Sequence, residues 1–378
     1  EKGKSEVSFQ KEIICKPEYQ NPDLPVVVGV GTGGGKTTLT TIKLEMFYRN
    51  PENRGKKTII LSSSTKILRK NFADSIGDFN PTFTYCSVAN RKEFKQAVDD
   101  GVEVIIVLPQ TLNNIKDLPK VEWLVVDEAH KWYFAKTIQE KIIPRCKPTY
   151  QWLLTGTPFK FTAANIQNKQ YNIHYVSVSQ MMDLGRVGNP NVSIVSTNYD
   201  IKHSDYFQNV GEVRRTLNFG YKTHKAAFTA MVKGMLKCVK NPLKTITQRD
   251  LYQHVFGELD KTIVYCYSKQ QARAFDKVCK SLGVNTLCSD SENDIDSTKF
   301  DAFKNDNEVK VLFVVDRGRE GFDMPELFNI VDFTLSINPE VILQIMGRVL
   351  RLSFSQPNKT KQYFKIAPAN DVYYHKVI

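Results

Sequence analysis

The chain has 378 residues, 41% apolar and 24% charged, the balance of an ordinary folded protein, which excludes a disordered or fibrous one. Its net charge of +12 suits a polyanionic partner. At roughly 100–200 residues per domain the length predicts two domains, and the longest apolar runs, residues 25–30 and 102–108, fall far short of the ~20 residues of a membrane helix.

Residues 1–6 contain no apolar h-region, so a cytoplasmic location and no membrane partner are expected. The seven cysteines are scattered and never spaced as C-x-x-C, which predicts reduced thiols rather than a disulfide framework or a zinc site.

In chain order, short apolar runs alternate with amphipathic stretches, the pattern of βα units feeding a parallel sheet. Strands are expected at Val26–Val30, Thr58–Leu61, Val104–Leu108, Trp123–Asp127 and Gln151–Leu154, with helices at Thr37–Tyr48, Lys66–Ile76 and Arg91–Val98. The first strand runs into Gly31-Thr32-Gly33-Gly34-Gly35-Lys36-Thr37-Thr38 and then a helix. That order is what a phosphate-binding loop requires: glycines turn successive N–H groups onto phosphate oxygens, Lys36 adds a point charge, and the Thr37 hydroxyl can ligate Mg²⁺. The strict pattern has Gly or Ala where this chain has Val30.

The strand at Trp123 ends in Asp127-Glu128-Ala129-His130. Carboxyl ends of parallel strands are where ligands sit, so Asp127 is placed to hold Mg²⁺ and Glu128 to orient and deprotonate water. The aromatic run Trp132, Tyr133 and Phe134 that follows is read as core rather than as a base-stacking platform.

Residues 181–257 read differently, with a helical stretch near Thr223–Val239 and eleven Lys or Arg against five acids, so that a fifth of the chain carries half of the net charge. A basic connecting segment is expected there, with Arg214, Arg215 and Lys222 as contacts to a phosphate backbone. The βα theme then returns, with strands at Ile263–Tyr267, Thr286–Cys288, Val309–Val315, Ile330–Phe333 and Gln362–Ile366, and helices at Lys269–Leu282, Ser297–Lys304 and Pro339–Gly347. The last helix leads into Gln344-Ile345-Met346-Gly347-Arg348-Val349-Leu350-Arg351; on a helix, two arginines three apart share one face and can reach one site.

Taken together these motifs resemble the superfamily 2 helicases and translocases, with a DEAH-type acidic motif and the Q-x-x-G-R-x-x-R arginine-finger motif. The resemblance implies an α/β fold of two tandem RecA-like P-loop-type domains, expected at 1–180 and 258–378 around the partly helical, basic segment 181–257, with ATP and Mg²⁺ between them. It implies that Gln10 reads adenine, that Gly321 and Asp323 face the nucleotide, that Arg348 and Arg351 complete the catalytic set of Lys36 and Glu128, and that Ser64, Thr65 and Thr111 hold nucleic acid. The departure at Val315, where a hydroxyl residue often stands, bears on one backbone contact.

The short stretch from Pro325 to Gln344 and the 27 residues after Arg351 look most like compact restriction-motor or phage-type DNA helicases. DNA is therefore the expected strand, a bacterial or phage-infected cell the expected setting, and a repair, replication or restriction complex the expected source of protein partners. Two other readings stay open, an ATP-gated clamp or switch without processive unwinding and the motor subunit of a nuclease or defence complex.

Overall fold

The computed structural model describes residues 8–17, 23–31, 33–62, 66–168, 170–197, 229, 232, 261–294, 296, 298–315, 324–334, 336 and 338–368. The chain divides into two compact units, Glu1–Leu184 and Gly185–Ile378.

The first unit is built on seven parallel strands: β1 (Val26–Val30), β2 (Thr58–Leu61), β3 (Tyr85–Ser87), β4 (Val104–Val107), β5 (Trp123–Val126), β6 (Tyr150–Thr155) and β7 (Asn172–Val176), in the order β3-β4-β2-β5-β6-β1-β7. The central strands β1, β2, β4 and β5 are buried at every position, which is why they read as unbroken apolar runs. The connections include helices α1 (Ser8–Cys15), α2 (Lys36–Tyr48), α3 (Lys66–Gly77), α4 (Arg91–Asp99), α5 (Pro109–Asn113), α6 (Ala129–Trp132), α7 (Ile143–Cys146), α8 (Phe159–Asn168) and α9 (Val178–Asp183). Parallel connections bring the carboxyl ends of β1, β5 and β6 to one edge of the sheet, each followed by one of the motif segments. Tyr133 is buried in the core on one face, Trp132 packs against it, and Phe134 lies at the surface against Phe161 and Tyr171.

The second unit holds β8 (Asn191–Thr197), β9 (Thr262–Cys266), β10 (Thr286–Ser289), β11 (Val311–Val314), β12 (Asn329–Phe333) and β13 (Gln362–Pro368), again all parallel, in the order β10-β11-β9-β12-β13-β8. Its helices are α10 (Lys269–Ser281), α11 (Thr298–Asn305) and α12 (Pro339–Met346). Three strands, β3, β7 and β8, are not among those expected from the apolar pattern. All three are sheet edges, and an edge strand needs no continuous apolar run. Within the segment expected to be a connector, β8 pairs with β13 along seven positions, and Val195 and Val232 are part of the second unit's core. Among the described residues no helix is long and apolar enough to cross a membrane.

Candidate functional site

The glycine loop is shaped by what lies beneath it. Gly35 takes a left-handed backbone, φ 77° and ψ 33°, as the residue before α2, and Gly34 N–H donates back to the Gly31 carbonyl at 3.1 Å. A Cβ on Gly34 would lie 2.2 Å from a Val30 methyl and 2.7 Å from Met181 Sδ, and one on Gly31 would lie 2.7 Å from Met181 Cε. Val30, the departure from the strict motif, is therefore itself a reason for glycine at 34. Met181, from α9, is the other wall, and its role is invisible in the sequence because 147 residues separate it from Gly34.

Gln10 is buried, with Nε2 donating to the Gly34 carbonyl at 3.4 Å, and a Cβ on Gly35 would meet that same nitrogen at 2.6 Å. Lys36 opens α2, and its Nζ donates to the Val30 carbonyl at 3.0 Å, curling back over the loop. Gly33 is exposed, while Thr37 and Thr38 are half-buried on the first turn of α2. Thr40 and Thr41, one turn on, bond back to the carbonyls of Lys36 and Thr37 at 3.0 and 2.9 Å.

On the neighbouring motif the backbone turns sharply. Among the described residues Glu128 is one of three non-glycine residues with positive φ, at 47° with ψ 46°, a left-handed conformation costing roughly 1–2 kcal/mol in a residue with a Cβ. The kink separates Asp127 at the strand end from Glu128 at the start of α6. Burial first, and then the Glu128 charge, push the Asp127 carboxyl up to about 7 against the opposing pull of the Lys36 ammonium. A carboxylate held this way, with a threonine hydroxyl at the foot of α2, is a hard oxygen donor set of the kind that suits Mg²⁺.

His130 ties this segment to the next. It is 1% exposed; its Nδ1 lies 2.9 Å from Thr155 Oγ1 and 3.4 Å from Glu128 Oε2. Thr155 Oγ1 accepts from Thr157 N–H at 3.0 Å, and Lys160 Nζ donates to the His130 carbonyl at 3.1 Å. Gly156, between the two threonines, lies beside Lys36 Nζ, which is 3.9 Å from where a Cβ there would be, an ordinary contact distance. The structure thus gathers Gln10, Gly33, Gly34, Gly35, Lys36, Thr37, Thr38, Asp127 and Glu128 around one sheet edge, and adds His130 and Thr155 to them.

Thr111 sits on α5, where its hydroxyl donates to the Ala89 carbonyl at 3.3 Å. In the second unit α12 ends at Met346, so Arg348 and Arg351 lie in the turns after it rather than on one helical face as expected, Arg348 buried and Arg351 half-buried. Thr32, Ser64, Thr65, Arg214, Arg215, Lys222, Gly321 and Asp323 lie outside the described residues.

Comparison with known proteins follows the division into units. The family model of the DEAD/DEAH box helicase matches residues 9–179, and that of the helicase conserved C-terminal domain matches residues 248–353. The mouse ATP-dependent RNA helicase DDX54 is 22% identical over 340 residues, which cover 86% of this chain and 34% of that protein, so the chain spans about a third of its relative's length. Among solved structures, the Pyrococcus furiosus Hef helicase domain matches with TM-score 0.56 at 16% identity, covering 97% of each chain. S. cerevisiae Dbp5 bound to RNA and ADP BeF3 matches with TM-score 0.60 at 15% identity, covering 98% of this chain and 85% of that one. At such identities the two structures show a common fold of tandem parallel-sheet domains. The two family models fall in the two units in sequence order, so the chain carries a DEAD/DEAH box helicase domain followed by a helicase conserved C-terminal domain.

Proposed function

We propose that the chain is an ATP-driven helicase that hydrolyses ATP on the glycine-loop edge of its first unit and uses arginines of its second to complete the reaction. The observation that carries this reading is the convergence of Lys36, Asp127 and Glu128 on one sheet edge, with Gln10 and a left-handed Gly35 forming the loop beside them.

In this reading Lys36 Nζ exchanges the Val30 carbonyl for phosphate oxygens, and the loop N–H groups bind the same oxygens with the dipole of α2 behind them. Gln10 recognises the base. Mg²⁺ arriving with ATP would be held by Thr37 and Asp127 and would neutralise phosphate charge. Glu128, turned away from Asp127 by its left-handed backbone, accepts a proton from the attacking water. Arg348 and Arg351 stabilise the charge that develops on the transferred phosphoryl group, a role worth ~10³–10⁵ in rate where such arginines act. His130 and Thr155 link the hydrolytic segment to the Thr155-Gly156-Thr157 turn, so a change at Glu128 is felt beyond the nucleotide.

The substrate strand is a polynucleotide. RNA is favoured by the names of two similar proteins, an RNA helicase and a helicase bound to RNA. DNA is favoured by the short stretch from Pro325 to Gln344, whose described elements are β12 and the first part of α12. ATPase stimulation by single-stranded RNA, duplex RNA, single-stranded DNA and branched DNA decides between them. Arg348→Ala is expected to keep ATP binding while losing most hydrolysis, read as kcat against the affinity for a fluorescent ATP analogue; a near-normal kcat would remove the second unit from the reaction. Stimulated hydrolysis without strand displacement would replace the helicase by an ATP-gated clamp.

A further inference from the structure

The link between the second sheet and α12, the helix that leads into the two arginines, is built in an unusual way. From Asp332 at β12 to the start of α12, every second residue is a short polar one whose side chain accepts the N–H two positions on. Asp332 Oδ1 accepts from Thr334 N at 2.9 Å, Thr334 Oγ1 from Ser336 N at 3.3 Å, Ser336 Oγ from Asn338 N at 3.2 Å, and Asn338 Oδ1 from Glu340 N at 2.9 Å. Asp332, Thr334 and Ser336 are buried, so these bonds have little competition from water.

The ladder is anchored at its sheet end. The Asp332 carboxylate, fully buried, receives Lys365 Nζ at 2.9 Å and the Tyr363 hydroxyl at 2.7 Å on Oδ2, and the Thr334 hydroxyl at 2.6 Å on Oδ1. Desolvation would raise this carboxyl, but the Lys365 charge and the Thr334 bonds outweigh it and hold it below the usual carboxylate range. A buried ion pair with its hydrogen bonds satisfied strongly resists being pulled apart. At the far end Asn338 caps α12, Pro339 fixes its first turn, and Ile342, Ile345 and Val349 seat the helix and its continuation on the core. Gly347 N–H, Arg348 N–H and Val349 N–H continue the turn by bonding to the carbonyls of Leu343, Ile345 and Met346.

We propose that Asp332, Thr334, Ser336 and Asn338 form a strut of positioning residues that sets the placement of α12, and through it the aim of Arg348. Short side chains with one or two torsions make a stiff connection, and a misplacement of about 1 Å at a reacting group can cost on the order of 100-fold in rate. The inference rests on the reading of Arg348 as a hydrolytic residue.

The test is a double-variant cycle in the full chain, with ATPase measured at saturating polynucleotide. Thr334→Val keeps shape but removes the hydroxyl that both donates to Asp332 and accepts from Ser336; it is expected to lower kcat about tenfold with KM for ATP unchanged, and Thr334→Ser to restore kcat to within about twofold. In an Arg348→Ala background Thr334→Val is expected to have almost no further effect, because the group it aims is gone. A general weakening of the fold would instead lower the residual rate of Arg348→Ala by the same factor as it lowers the parent, and that outcome overturns the proposal. So does a kcat near normal for Thr334→Val. Should Thr334→Val fail to fold, Ser336→Ala, which removes the acceptor for Asn338, takes its place under the same criteria. An Arg348→Ala variant with normal kcat would overturn the arginine reading itself and the strut with it.

Discussion

Asp127 is the residue whose chemistry is most out of the ordinary, and the consequence can be read in stability. Its carboxyl titrates at about 7 in the folded protein against 3.8 ordinarily. Between those values the folded chain keeps a proton that the unfolded chain has released, so stability from this group is full below about pH 4 and declines as pH rises towards 7. Asp127→Asn stays neutral throughout and escapes the decline. In a chelating buffer it is expected to melt roughly 5 °C above the parent at pH 8 and level with it at pH 4, by scanning calorimetry; a pH-independent difference would mean that the carboxyl is not strained by burial and Glu128. Asp127 and Lys36 are legible in sequence because phosphate and cation chemistry demands those residue types at the ends of a strand and a loop. His130 is legible only as a letter of a motif, since its bond to Thr155 joins positions 25 residues apart through the pairing of β5 with β6.

At the scale of the element, the loop from Gly31 to Gly35 shows how a motif becomes a shape. Its glycines are needed for different reasons, Gly35 for a left-handed backbone and Gly34 for the approach of Val30 and Met181. Gly35→Ala would pair that backbone with a Cβ 2.6 Å from Gln10 Nε2, costing about 1–2 kcal/mol from the backbone alone and pushing the glutamine off the loop. It is expected to weaken ATP affinity at least tenfold, by titration with a fluorescent analogue; unchanged affinity would mean that neither the loop shape nor Gln10 serves the nucleotide. Most element cores match the sequence periodicity because buried parallel strands and amphipathic helices write themselves as apolar patterns. The half-buried edges β3, β7 and β8 do not, and the strut from Asp332 to Asn338, alternating polar with Phe333, Leu335 and Ile337, looks like more strand until its bonds are seen.

For the whole molecule the open term is electrostatic. The span 181–257 holds half of the net charge, and its strand β8, which belongs to the second sheet, carries none of it. Arg214, Arg215 and Lys222 are the sharpest cluster there. Removing one cation from a phosphate should reduce the slope of log K against log salt by about 0.7–0.9, so reversing all three is expected to flatten that slope by about 2 and to weaken binding most at low salt. A change in net charge alone would also weaken binding at low salt, through long-range attraction. The control is therefore reversal of Lys92, Lys95 and Lys304, exposed on α4 and α11, which changes net charge equally. If binding is local to the basic segment, the first triple variant flattens the slope and the second barely alters it. Equal flattening would reduce the segment to one part of a diffuse positive field, and polynucleotide binding would then have to be sought at Thr111 and its neighbours on the first unit.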